Sequence, residues 1–243
     1  MAVAIRSVTV GTNNGSSATV SATTSESPSA TQVGNLVVVV YCNDYYTLAA
    51  MGTPTATGSP ILSAITNGTA DAGTNHAHIK SYTYVANTAG AQVISATETG
   101  SADEEKAIVA WVLSGADTTT PVDVAANGFS ASAQALNNAP SCSPGTSDAF
   151  LIGHVNSGGG ASAASYGTPG SMTERYEIHV GGLSGVGATE QLAASGATGV
   201  RAFDPNSDVE FAAVSIAIRT ASASATSLPI RRRSQMGAYL SGL

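Results

Sequence analysis

Apolar and polar positions alternate, or run together briefly, in short stretches that stop at Gly, Pro, Asn or Asp, which is the pattern of β-strands. Strands are predicted over residues 2–10, 18–22, 35–42, 78–85, 92–97, 106–114, 149–156, 172–180, 188–193 and 209–219. Their length and spacing are those of a β-sandwich. Asn14-Gly15, Asn67-Gly68 and Asn127-Gly128 read as tight turns or loop tips, because both residue types tolerate positive φ. Segment 102–113 has a rival helical reading, since Asp103, Glu104 and Glu105 could occupy a first turn. A strand from Lys106 is preferred: Ile108, Val109, Trp111 and Val112 are β-formers, and Gly115 ends the run. No repeat of 20–50 residues is evident, which disfavours a solenoid or propeller.

The Ser- and Ala-rich stretches at 21–30, 157–165 and 221–227 carry too little apolar surface to order themselves and read as loops or linkers. The last separates the β body from LPIRRRSQMGAYLSGL at 228–243. The expected organisation is one all-β sandwich over 1–221, followed over 222–243 by a flexible linker and a basic C-terminal peptide.

Composition sharpens this picture. Only 10% of residues are charged and 5% aromatic, which suits thin sheets with many turns better than a helical bundle. Three of the nine basic residues are consecutive, Arg231, Arg232 and Arg233, so the body is more acidic than the formal charge of -7. An acidic body repels phosphate, and nucleic-acid binding by it is not expected. MAVAIRSVTV at 1–10 has no secretory pattern, and the longest apolar run, 36–42, is too short to cross a bilayer. A cytoplasmically made protein without membrane insertion is expected. Cys42 and Cys142 have no CxxC spacing, and buried free thiols are preferred to a bridge.

Candidate chemistry is sparse. His76 and His78 could share a metal on one strand face, but a solvated or turn-capping role is preferred. Ser184 in GGLSGVG at 181–187 lacks the spacing of a nucleophile elbow, and a glycine-rich hairpin explains it. Glu174 and Glu177 are expected on opposite strand faces, and Asp103, Glu104 and Glu105 read as a solvated strand entrance. No catalytic, cofactor or metal residue is assigned, and the protein is expected not to be an enzyme.

Two features point outward. Asp44, Tyr45 and Tyr46 follow the most apolar run, and aromatic rings beside polar groups could contact a glycan, although core capping or subunit packing is the preferred account. The tail joins Arg231, Arg232 and Arg233 to Tyr239, Leu240 and Leu243, a composition that could dock on an acidic neighbour with an apolar groove.

An ordered series of motifs runs through most of residues 1–220: VAIRSVTV at 3–10, GNLVVVV at 34–40, SYTYVA at 81–86, AWVLSGAD at 110–117 followed by PVD at 121–123, MTERY at 172–176, GATG at 196–199 and VEFAAVSIAIR at 209–219. This series resembles virion proteins of tailed phages, especially the minor tail proteins of phages of actinobacteria. The resemblance implies a jelly-roll-like β-sandwich without catalysis, located in the virion and assembled in the host cytoplasm. It implies contacts with other virion proteins and with further copies of the chain, in tail assembly or at the host surface. A capsid decoration protein and a module binding host glycan are the alternatives.

Overall fold

Leu36–Asn43 and Glu105–Ser114 are buried on nearly every side chain, and so are Phe150–Ser157 and Val209–Ile218. A strand loses water on both faces only when layers cover it above and below. These four segments are inner strands of two five-stranded sheets that face one another.

The computed structural model describes residues 2–24, 31–44, 47–58, 61–73, 76–99, 104–158 and 165–222. In chain order the first strands are β1 (Ala4–Asn14), β2 (Thr19–Thr23), β3 (Leu36–Asn43), β4 (Thr55–Ala56), β5 (Ser63–Asp71), β6 (His78–Val85), β7 (Val93–Thr97) and β8 (Glu105–Ser114). The rest are β9 (Val122–Gln134), β10 (Asn137–Ala139), β11 (Phe150–Ser157), β12 (Tyr166–Gly167), β13 (Thr173–Val180), β14 (Leu183–Gln191), β15 (Arg201–Pro205) and β16 (Val209–Ile218). A 3-10 turn, Leu48–Ala50, precedes β4.

The first eight strands form a large sheet, β1-β8-β3-β6-β5, and a small one, β2-β7-β4. The last eight form β13-β14-β11-β16-β9 and β10-β15-β12. Subtracting eight from each label in the second set, and reading its large sheet backwards, reproduces the first set. Each half therefore has the strand order of a jelly roll, with its fifth strand added to the edge of the large sheet. The expected all-β, sandwich-like character is present, but in place of one sandwich over 1–221 the jelly-roll topology occurs twice in succession.

The correspondence reaches individual bonds. Ala86 N–H donates to Asn35 O in the first half and Leu192 N–H to Ala149 O in the second, both at 2.9 Å. The bulge between Ile5 and Ser7 on β1 has its counterpart on β9, where the register shifts opposite Ala217 and Ile218. The segments that leave β8 and β16 pair antiparallel with each other through Ala116 and Thr220, with Asp117 N–H donating to Arg219 O and Ala221 N–H to Gly115 O. The halves are thus related by an approximate two-fold, which sets β5 against β9 and β1 against β13.

Four layers enclose three cores. Alternation along β3 sends Leu36, Val38, Val40 and Cys42 into the central core between the halves, and Val37, Val39 and Tyr41 into the first jelly roll. Along β11, Phe150 and Ile152 face the centre while Leu151 and Val155 face the interior of the second. Cys42 and Cys142 are free and buried in different cores.

Several expectations need correction. Asn127-Gly128 is no turn: it lies inside β9, paired to Val214 and Ala213 of β16, because the ladder runs through it. Asn67-Gly68 lies inside β5 at a register shift, with Asn67 at φ 59. The glycine-rich run at 181–187 is, as expected, part of a hairpin: Gly181 and Gly182 turn the chain between β13 and β14, which pair antiparallel from Val180 and Leu183 onward. Strands β4, β5, β9, β10, β12 and β15 were not predicted, being short, polar or rich in small residues.

Candidate functional site

The last residues of β3 and the first of β8 are paired neighbours, and there the apolar pattern gives way to Asn43, Asp44, Glu105 and Lys106. Side-chain alternation splits this polar group in two. Lys106 and Asn43 point into the first jelly roll, where Lys106 Nζ lies 3.2 Å from Glu98 Oε2 and Asn43 Nδ2 donates to Glu98 Oε1 at 2.6 Å. Lys106 also donates to the carbonyls of Glu104 and Ser17, so this buried cation is fully engaged there.

Asp44 and Glu105 lie on the other side, towards the second half. The Asp44 N–H donates to Glu105 O at 3.1 Å. One carboxylate oxygen from each of Asp44, Glu104 and Glu105 lies within 4.8 Å of the others. Asp44 is 2% exposed, whereas Glu104 and Glu105 are half-buried. Burial, and then the charge of Glu105, push the Asp44 carboxyl up to about 8. Asp44 Oδ1 has no hydrogen-bond partner among the described residues. The second half closes over the pair with glycines: Gly158, just after β11, meets Asp44, and Gly181, in the β13–β14 turn at φ 55, meets Glu105. A β-carbon at Gly158 would overlap the Cα and Cβ of Asp44, and one at Gly181 would displace the Glu105 carboxyl.

Further along the same interface, the Tyr176 hydroxyl and His154 Nδ1 are hydrogen-bonded at 2.5 Å inside the central core. Trp111 packs edge-on to the Tyr176 ring, with centroids 5.3 Å apart. Burial holds the imidazole of His154 down to about 3 and keeps the Tyr176 hydroxyl protonated. Asn156 Nδ2 donates to Asn43 O at 3.2 Å, again from one half to the other. His76 pairs across the interface with Glu210 of β16, whereas His78 faces Asp71 at 3.0 Å, so the two histidines serve different partners. Ser184 sits in a buried hydroxyl chain, with Ser157 Oγ 2.6 Å away and the Tyr166 hydroxyl donating to Ser157 at 2.8 Å.

Two open grooves flank the interface at related positions. One, of about 470 Å³, lies between β5 and β9 and includes Thr83 and Asp123. The other, of about 540 Å³, lies between β13 and β1 and includes Thr189 and Arg175. Asp123 is occupied by Arg219 at 2.9 Å and by the Thr146 hydroxyl at 2.7 Å.

Of the residues singled out from sequence, Asp44 is buried against the second half. Tyr45, Tyr46, Arg231, Arg232, Arg233, Tyr239, Leu240 and Leu243 lie outside the described residues. Glu104 and Glu105 were expected to be solvated but are half-buried beside Asp44. The His154–Tyr176 pair was not anticipated, although alternation with Phe150 and Ile152 already placed His154 on an apolar face. No protein-family model, curated protein or solved structure matches the chain.

Proposed function

We propose that this protein is a non-catalytic structural component of a tailed-phage virion, a minor tail protein in tail assembly or host-surface contact. The motif series that resembles such proteins supports the reading. The structural observation that carries it is the use made of the polar side chains at the interface. Asn156 with Asn43, His76 with Glu210, and Trp111 with Tyr176 join one jelly roll to the other, whereas His154 with Tyr176 and Lys106 with Glu98 each brace a single half. Polar side chains used this way hold the layers together.

Contacts with further copies fit the large-sheet edges. Phe129, on the outer part of edge strand β9, is 58% exposed, and Leu136 just beyond it is 47% exposed. The basic peptide with Arg231, Arg232 and Arg233 supplies a second attachment to an acidic neighbour.

Mass spectrometry of purified particles, with electron microscopy of labelled subunits, tests this proposal. The protein is expected in the particle, on the tail, and chains truncated after Ser227 are expected to assemble poorly. A label on the head would make it a decoration protein instead. A monomer absent from particles would overturn the reading.

A further inference from the structure

We infer that Asp44, Glu104 and Glu105 form a binding site for a hard divalent cation of the calcium type, placed where the two jelly rolls meet. This goes beyond a virion role and holds or fails independently of it.

The geometry fits one ion. Oxygens bound to the same calcium at about 2.4 Å can be no more than about 4.8 Å apart. The three carboxylates each offer an oxygen within 4.8 Å of the other two. A second observation points to a ligand: Asp44 Oδ1, on a side chain 2% exposed, meets no donor among the described residues, and the side chain in contact with Asp44 is the carboxyl of Glu105, so the pair needs a proton or a cation between them. A buried carboxylate oxygen without a partner is costly unless something positive or protic meets it. The cation next in sequence, Lys106, is turned away to Glu98 and two carbonyls on the other face of β8.

The chemistry of the donors selects the class of ion. All three are carboxylates, with no imidazole or thiolate among them, which suits calcium rather than zinc or copper. Magnesium demands shorter bonds in a stricter octahedron, whereas calcium accepts the looser geometry of three carboxylates from the adjoining ends of β3 and β8. Because Gly158 and Gly181 of the second half cover carboxylates of the first, an ion held there would brace the two halves together.

Calorimetric titration of the full chain with calcium chloride, paired with thermal melting, tests the site. Saturable binding of one calcium per chain is expected, with a higher melting temperature and a weaker response to magnesium. Asp44→Asn and Glu105→Gln are each expected to weaken calcium binding tenfold or more and to remove the calcium-dependent rise in melting temperature. Glu174→Gln, at an exposed carboxylate elsewhere, is expected to leave both unchanged. Should Asp44→Asn not fold, Glu105→Gln at the half-buried strand end gives the same answer. Absence of saturable binding up to millimolar calcium, or binding that survives Glu105→Gln unchanged, would overturn the inference.

Discussion

Asp148 occupies in the second jelly roll the place that Gly34 holds in the first, two residues before the central strand of the large sheet, and both have left-handed backbone, with φ of 59 and 84. The backbone turn is therefore a property of the fold repeated in each half. Gly34 meets it without strain, and Asp148 is one of the few other residue types that tolerate it.

Gly34→Ala follows as a test of backbone strain alone, because the space around an added β-carbon there is open. It is expected to cost about 1 kcal/mol of stability, and Gly34→Asn less than that. Urea denaturation of the three proteins measures the order.

The His154–Tyr176 pair gives a pH signature. An unfolded imidazole takes up a proton below about 6.5, whereas burial holds the folded one to about 3. Between those values the unfolded chain binds the extra proton. This contribution to stability is therefore full above about pH 6.5 and is lost at roughly 1.4 kcal/mol per unit as pH falls towards 3. Tyr176 is held protonated by burial and Cys42 is pushed up to about 12, so neither neighbour brings a charge. Urea midpoints at pH 7 and pH 5 should differ less in His154→Gln than in the parent, and the difference between the two proteins isolates this residue.

Gly187 lies under the Tyr176 ring, and a β-carbon there would overlap ring atoms. Gly187→Ala is expected to destabilise by about 1–3 kcal/mol through overpacking. A loss of near-ultraviolet circular dichroism from the Trp111–Tyr176 contact should accompany it, and an unchanged spectrum with unchanged stability would contradict the packing described.

Lys106 and Glu98 are a buried ion pair within the first half. Lys106→Met leaves Glu98 without its cation and is expected to cost about 3–5 kcal/mol. Adding Glu98→Leu should recover much of the loss, because the uncompensated charge is then gone. A double-mutant cycle by thermal melting reads the coupling.

Much of this fold was legible along the chain. The apolar runs of β3, β8, β11 and β16 stand in the sequence within a residue or two of their ends. Strand β9 was not legible, because Asn127-Gly128 is good turn chemistry and only the ladder with β16 holds it extended. The acidic site was half visible: Glu104 and Glu105 could be read as a strand entrance, but their approach to Asp44 depends on β3 lying beside β8, sixty residues apart in the chain.

The duplication was hidden for a related reason. Along the corresponding strands β3 and β11, LVVVVYCN and FLIGHVNS, no aligned residue is identical. What the sequence determined by itself is local: where strands form, from alternation and β-propensity, and where glycine relieves the backbone. Which sheet faces which was decided only in three dimensions. Burial demands apolar surface on both sides of β3 and β11 but accepts many side chains there, so the pattern outlasts identity. His154, Tyr176 and the Asp44 carboxyl acquire their properties only where the two jelly rolls close on one another, because desolvation and neighbouring charge exist there and not along the chain.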